Sequence, residues 1–226
     1  MPGAGFGPGG VRQGSSASLT LEDAEAIEAE VTNISAVAPQ LTTSAQVIAG
    51  EENTSAGITG TTPEYRVAYN VELKYGTFFS DYDYERGAKV AVLGATVADE
   101  LYSELNPVGE SIKVGRTVVR VIGVLEEKGA SFTSADDAIL MPLTVVQQTA
   151  AQQRTATGEH VISMIGISVS EDGQSEGVVN AITNLLRTRH RLMPSDDDDF
   201  NILSAEEIAT QVSEALGVFT IFLGAI

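Results

Sequence analysis

Cysteine is missing from this sequence, and basic residues and histidines are scarce. The 226 residues include no cysteine, 13 lysines and arginines and two histidines, against 31 aspartates and glutamates. Without cysteine the chain can form no disulfide, no thiolate metal site and no cysteine nucleophile. The net charge of −18 repels phosphate backbones and anionic membrane surfaces, which argues against nucleic acid as a partner. A well-solvated acidic surface is the simplest interpretation of this charge.

Histidine-based metal chemistry is not indicated either. Neither His160 nor His190 has a second histidine or a carboxylate at the spacing of zinc ligands on a helix. His190 lies in the basic run 187–191, at the end of a predicted helix. Positive charge is favourable there because the last carbonyls of a helix are unpaired. We therefore expect a structural role for His190 and no metal site.

The densest cluster of charge is the run Asp196–Asp199. It lacks the alternating oxygen ligands, the central glycine and the distal glutamate of a calcium-binding loop. We interpret the run as a solvated turn whose charge is balanced by Arg187, Arg189 and Arg191. Weak calcium binding stays an open alternative.

Motifs for covalent or acid–base catalysis are lacking as well. There is no Gly-x-Ser-x-Gly pattern with a partner histidine, and the Gly-rich start at 1–18 has no Gly-Lys-Ser/Thr of a phosphate loop. Asp136 and Asp137 could form an acid–base pair only within a cleft, and their Gly/Ser-flanked loop is predicted to be exposed. We assign no catalytic, cofactor-binding or metal residues and expect a non-catalytic domain without cofactor. A hydrolase using Asp136, Asp137 or Asp199 stays as an alternative to be tested.

Apolar periodicity predicts alternating helices and strands along the chain. The predicted helices cover 19–30, 96–105, 143–150 and 178–189. Thr20 and Asp23 form a capping-box pattern at the start of the first helix, and Val97, Leu101 and Leu105 lie on the inner face of the second. The fourth helix is marked by the apolar residues Val178, Ile182, Leu185 and Leu186. The predicted strands are 34–39, 44–49, 89–93, 138–141, 161–169 and 200–203, together with a hairpin of 111–114 and 117–125 across Gly115. The alternation in 161–169 predicts that Val161, Ile165, Ile167 and Val169 face inward. Residues 51–62 are expected to be a hairpin tip or a loop, and 126–137 an exposed loop. Gly123 is expected to mark a bulge or a close backbone contact.

The two ends of the chain differ from its middle. Residues 1–18 are rich in Gly and Ser and predict a flexible leader without the features of a signal peptide. Ser204 and Glu207 form a capping-box pattern, and 215–226 is apolar or glycine except for Thr220. That run is shorter than the about 20 residues that span a bilayer. We interpret it as the first turns of a truncated transmembrane helix, with a buried core helix as the alternative.

Several strings, in this order, carry a family resemblance. They are LTLEDAEAIEAEVTNISAVAP, LKYGTFFSDYDYERG, VAVLGATVADELYSELNPVGESIKVGRTVVRVIGVLEEKG, DDAILMPL, LLRTRH and DFNIL. Over nearly all of residues 19–226 the sequence resembles the extracytoplasmic core domain of MacB-type, FtsX-like ABC transporter permeases. Relative to that family's pattern, the sequence lacks the first transmembrane helix, the first strand and the cytoplasmic ATPase.

The resemblance implies an α+β fold in two parts. A porter-like subdomain of βαβ units would comprise 19–63 and 161–203, and a mainly-β, sabre-like subdomain, 64–160, would be inserted in it. Residues 1–18 would be the leader, and 204–226 a stalk helix that enters the membrane. In the family this domain lies between the first and second transmembrane helices, on the extracytoplasmic side of the cell membrane.

The resemblance also implies a function and partners. Such a domain would couple cytoplasmic ATP hydrolysis to extracytoplasmic movement, called mechanotransmission, in the export of peptides, antibiotics or lipoproteins. Its partners would be a cognate ABC ATPase domain or subunit, a second permease copy, the membrane through flanking helices and, in some members, a membrane-fusion adaptor protein. The alternative is an FtsX-like protein-binding module that regulates an extracytoplasmic partner such as a cell-wall hydrolase.

Overall fold

The computed structural model describes residues 19–103, 105–129, 135–149, 158, 160–170 and 174–204. The helices are α1 (Leu21–Glu30), α2 (Tyr65–Ala68), α3 (Asp81–Glu85), α4 (Ala95–Tyr102), α5 (Leu143–Thr149) and α6 (Ser175–Arg189). The strands are β1 (Ile34–Ala49), β2 (Glu52–Thr61), β3 (Leu73–Gly76), β4 (Val90–Leu93), β5 (Ser111–Val114), β6 (Thr117–Leu125), β7 (Ala138–Pro142) and β8 (Met164–Val169). These elements confirm the α+β class.

Most of the strands close a ring. Strand β1 pairs with β2, β2 with β7, β7 with β4, β4 with β6, β6 with β5, and β5 again with β1. Because the ring closes, the side chains that point inward from these strands pack together in an apolar interior, as in a small β-barrel. Val47, Ile112, Val121 and Ile139 are at most 1% exposed there, and α4 and α5 add apolar side chains to the same cluster. This ring is the largest part of the described core.

Strand β1 connects the ring to a second layer. Residues 41–49 of β1 pair with β2 inside the ring, whereas 34–40 pair antiparallel with β8 outside it. Helices α1 and α6 cover this outer pair, with Ile27 of α1 and Ile182 of α6 buried in a common apolar cluster. Of the residues predicted to face inward, Ile165, Ile167 and Val169 of β8 pack on that cluster. Val161 lies before β8, which begins at Met164, and forms an isolated bridge with Thr20.

The predicted break in β1 is wrong, and 51–62, predicted as a hairpin tip or a loop, is a turn only at its start. Strand β1 is continuous, and 52–61 is strand β2, because every residue from Leu41 to Ala49 has a partner in β2. The Thr, Ser and Gln residues of this hairpin mostly face solvent, while Ala56 and Ile58 face the ring interior. Polar residues on the outer face therefore concealed a two-residue alternation. The turn itself is at Gly50, which has a φ of 60°.

Further sequence expectations need correction. Helix α4 ends at Tyr102, where Ser103 has a φ of 54°, and Leu105 is 73% exposed instead of lying on an inner face. Residues 200–203, predicted as a strand, pair with none of the described strands. Helix α3 was not predicted, although Ser80 and Asp83 form a complete capping box at its start.

The hairpin of β5 and β6 and the role of Gly123 are confirmed. The strands pair from Ser111 with Arg120 to Val114 with Thr117. The register of β6 against β4 shifts just before Gly123, as expected for a bulge. A Cβ atom on Gly123 would lie 2.5 Å from the carbonyl oxygen of Thr77, so the close backbone contact requires glycine.

The predicted leader at 1–18 and the predicted terminal helix at 205–226 lie outside the described residues. Across the described part of the chain, every helix falls short of the length and apolarity needed to cross a bilayer.

Candidate functional site

Asp136 and Asp137, the candidate acid–base pair, differ in exposure. Asp136 is 7% exposed, and its carboxylate accepts hydrogen bonds from the backbone N–H of Lys128, at 3.2 Å, and of Gly129, at 2.9 Å. The expectation that it is exposed is wrong, because the loop folds its backbone donors over this carboxylate. Asp137 is exposed, as predicted. The geometry gives Asp136 a structural role in the loop.

The metal candidates are distributed over different parts of the molecule. The backbone carbonyl of His160 accepts a hydrogen bond from Leu21 N–H, at 3.2 Å, beside a β-bridge between Thr20 and Val161. Within the ranges described above, no group of three or more histidines and carboxylates is placed to hold a metal ion.

Asp23, at the start of α1, is a buried carboxylate with several donors. Its side chain is 3% exposed. Oδ2 accepts from the backbone N–H of Thr20, at 2.9 Å, and from the Thr20 hydroxyl, at 2.8 Å, while the Thr20 hydroxyl accepts from Asp23 N–H. This is the capping box expected from Thr20 and Asp23, and it satisfies the first backbone donors of the helix.

The end of α6 brings two cationic side chains to the same carboxylate. Arg189 Nε donates to Asp23 Oδ1, at 2.6 Å. His190 Nε2 lies 3.2 Å from Asp23 Oδ2, and its Nδ1 lies 2.7 Å from Asp199 Oδ1. We call Thr20, Asp23, Arg189, His190 and Asp199 the Asp23 junction. It joins the start of α1 to the end of α6 and to the acidic run that follows α6.

Charge pairing shifts the pKa values of the two central groups in opposite directions. Burial raises the pKa of Asp23, but the hydrogen bonds from Arg189, Thr20 and His190 outweigh burial, so that the pKa lies below its ordinary value. Burial likewise disfavours the charged form of His190, but the carboxylates of Asp199 and Asp23 raise its pKa above the ordinary value. Both shifts favour a charged pair.

The sequence had anticipated only part of this arrangement. Arg187 pairs with Asp198, as predicted for the acidic run, whereas Arg189 pairs with Asp23 instead of that run. His190 is at the C-terminal cap of α6, as predicted, yet its ring bridges two carboxylates. Residues 166 and 167 positions apart in the chain meet here, so no local spacing could have indicated the junction.

A shallow depression beside α4 is lined by Lys74, Tyr75, Asp99 and Leu105 among others. Its volume of about 10 Å³ is far below the roughly 300 Å³ or more of small-molecule sites. The Asp23 junction is therefore the stronger candidate for a functional site, and its groups are suited to holding elements together through charge.

Comparison with known proteins identifies the family. The family model described as the MacB-like periplasmic core domain matches residues 1–185. The macrolide export ATP-binding/permease protein MacB of Bdellovibrio bacteriovorus is 30% identical over 222 residues, which cover 96% of this chain and 33% of that protein. The MacB protein of Rhodospirillum rubrum is 34% identical over 229 residues, again covering 33% of its length. The chain thus spans about a third of the relatives it matches.

Solved structures confirm the predicted fold class. The periplasmic region of MacB from Actinobacillus actinomycetemcomitans superposes with a TM-score of 0.71 at 23% identity, covering 87% of this chain and 84% of that one. The extracellular domain of YknZ, a noncanonic ABC-type transporter from Gram-positive bacteria, superposes with a TM-score of 0.63 at 22% identity, covering 77% and 86%. With the match to the family model over most of its length, the chain belongs to the family of MacB-like periplasmic core domains.

Proposed function

We propose that this domain couples ATP hydrolysis in the cytoplasm to movement on the extracytoplasmic side of the membrane, and thereby drives export of peptides, antibiotics or lipoproteins. The proposal is supported by the family match over residues 1–185 and by relatives named as macrolide export ATP-binding/permease proteins. The domain itself is non-catalytic in this proposal, since ATP hydrolysis belongs to a separate domain or subunit.

The single observation that carries a mechanical role is the Asp23 junction. It fixes the end of α6 and the run 196–199 to the start of α1 through buried or half-buried charge pairs. The segment after Ser204 is the one predicted to enter the membrane. A pull on that segment would therefore be transmitted through the junction to α1 and, by packing, to β1. Because β1 also belongs to the ring, the movement can reach both layers.

The same proposal assigns the subdomains and the partners. We propose a porter-like subdomain of 19–63 and 161–203, an inserted sabre-like subdomain of 64–160, and a stalk of 204–226 that continues into the membrane. The proposed partners are the cognate ABC ATPase, a second permease copy and, where the envelope requires it, a membrane-fusion adaptor. In this arrangement the domain lies on the periplasmic or extracellular side of the cell membrane.

The experiment that tests coupling is made in the full permease with its ATPase. Proline at position 215, Ala215→Pro, breaks a helix at that point at a cost of about 3 kcal/mol. We expect export to be lost while ATP hydrolysis continues, and Ala215→Ser at the same position to leave both unchanged. Normal export by the Ala215→Pro permease at normal expression would contradict mechanical coupling through the stalk.

The regulatory alternative makes a different prediction for the same proteins. An FtsX-like module would bind an extracytoplasmic partner such as a cell-wall hydrolase, and Ala215→Pro would abolish activation of that partner without any exported substrate. A cell-lysis assay beside the export assay separates the two functions, because only one of the two readouts should respond.

A further inference from the structure

We propose that His190 forms a proton-dependent bridge between Asp23 and Asp199, which links Asp199 to the start of α1 when the ring is protonated and loses one of its two hydrogen bonds when the ring is neutral. We call the two hydrogen bonds of the ring the His190 bridge. The bridge is a property of the described fold and does not depend on the proposed function; only its consequence for transport does.

The geometry requires a charged ring. Each ring nitrogen of His190 faces a carboxylate oxygen, at 3.2 Å on Asp23 and at 2.7 Å on Asp199. An imidazolium donates from both nitrogens, whereas a neutral imidazole donates from one and presents a lone pair from the other. In either neutral tautomer one carboxylate would face a lone pair. Only the protonated ring satisfies both contacts.

The two carboxylates that face the ring favour its proton, and the two nearby arginines of α6 are themselves paired with carboxylates. Helix α1 contributes the carboxylate of Asp23, and the acidic run contributes that of Asp199. On α6 itself, Arg189 is bonded to Asp23 and Arg187 to Asp198. The ring of Phe200 packs edge-on against the imidazole, with 5.9 Å between the ring centroids. The imidazole is 9% and Asp23 3% exposed, so solvent screens the interaction between these two only weakly.

Loss of the proton should weaken the contact with Asp199 rather than the contact with Asp23. Asp23 is 3% exposed and also accepts from Thr20 and Arg189. The Asp199 side chain is 38% exposed, so water can reach its carboxylate when the ring stops donating. Arg187 keeps its bonds to Asp198 and to the carbonyl oxygen of Asp196. The change is therefore confined to the contact between His190 and Asp199, just before the segment that leads to the stalk.

The direction of the pH effect follows from the raised pKa of His190. Its stabilisation is fully present below the pKa of an unfolded histidine, about 6.5, and is lost as pH rises through the higher pKa of the folded protein. In the transporter, and only if the proposed function holds, an acidic exterior would stiffen the link between domain and stalk.

The first test is an NMR titration of the 226-residue chain from pH 5 to 9, following the imidazole signals. His190→Gln identifies the signal of His190. We expect its midpoint to lie above about 6.5 and to fall in Asp199→Asn. His160→Gln, which changes the other histidine, should leave it in place. The backbone amides of Asp199 and Phe200 should shift with the same midpoint.

The proposed bridge would be overturned by a midpoint at or below about 6.5, or by amide signals of the acidic run that do not shift as His190 titrates. Thermal unfolding gives a second measurement. The difference in Tm between the parent chain and Asp199→Asn should be largest at pH 6 and shrink as pH rises through the midpoint. A difference that is constant over this range would also overturn it. None of these results depends on transport, so failure of the export proposal leaves the bridge testable.

Discussion

Asp23 and Asp83 occupy the same position in two capping boxes, one at the start of α1 and one at the start of α3. Each accepts from the backbone N–H and the hydroxyl of its cap residue, at 2.9 and 2.8 Å for Asp23 and at 3.1 and 2.8 Å for Asp83. Only Asp23 is buried and pairs with Arg189 and His190. Variants of the two residues therefore separate the contribution of a capping box to stability from the contribution of the Asp23 junction.

We expect Asp23→Ala to lower the free energy of unfolding by about 3 kcal/mol, because it leaves the half-buried Arg189 without a counter-charge and leaves the buried His190 with Asp199 alone. Asp83→Ala, which removes only the exposed cap, should cost about 1 kcal/mol or less. Urea unfolding of both variants at pH 6 makes the comparison. Equal losses would mean that the junction adds nothing to the capping box.

Acid pH should weaken the stabilising interactions of the Asp23 carboxylate. The folded pKa of Asp23 is lowered, so its stabilisation is present above the unfolded value of about 3.9 and is lost as pH falls through the folded pKa. We expect the stability difference between the parent chain and Asp23→Asn to shrink steadily below about pH 4. Urea midpoints at a series of pH values measure this, and a difference independent of pH would contradict it.

At the scale of elements, glycines decide how closely β3 and β6 approach. Gly123 of β6 lies against the backbone at Thr77, where an added Cβ would be 2.5 Å from the carbonyl oxygen. Gly57 of β2 offers a matched position, since a Cβ there would be 3.9 Å from the carbonyl oxygen of Asp137. Both glycines lie inside strands and neither has a positive φ, so the comparison tests mainly the space available to a Cβ atom.

Gly123→Ala should therefore destabilise the protein by about 2 kcal/mol or more, because the contacted atom is backbone and cannot move aside easily. Gly57→Ala should change stability by less than about 0.5 kcal/mol. Thermal unfolding of the two variants tests this expectation. A neutral Gly123→Ala would show that β3 moves away from β6 at little cost.

Elements that depend on the spacing of residues close together in the sequence were predicted well. The capping box of α1, the apolar face of α6 and the β5–β6 hairpin all follow from spacings of a few residues. The β1–β2 hairpin was not recognised, because its outer face is Thr, Ser and Gln and resembles a loop. Likewise, the sequence at 200–203 looks like a strand, but a strand forms only where another strand offers backbone partners.

At the scale of the whole molecule, the two layers differ in their cores. The ring interior gathers most of the fully buried aliphatic side chains, whereas the layer of α1, β8 and α6 has a smaller buried cluster with many half-buried members. Strand β8 is also at the end of the sheet order. A layer with fewer buried contacts can open locally at a lower free-energy cost than global unfolding of the protein.

We expect native-state hydrogen exchange to show the slowest amides in β4 and β6 and faster exchange in β8 and α6. Asp199→Asn should increase exchange in α6 and in residues 196–200 while leaving β4 and β6 unchanged. Mass spectrometry of peptides from the exchanged chain resolves these regions. Uniform exchange across both layers would contradict the difference in core stability.

The sequence by itself determined the α+β class, the capping box of α1, the apolar face of α6, the β5–β6 hairpin and the family, because each depends on residues close together in the chain. Only the tertiary structure decided that β1 and β2 close a ring, that Asp136 is buried, and that Asp23 meets Arg189 and His190 from 166 and 167 positions away. The physical reason is that strand pairing and buried charge pairs depend on which distant segments meet. Such contacts leave no periodic signal in either segment alone.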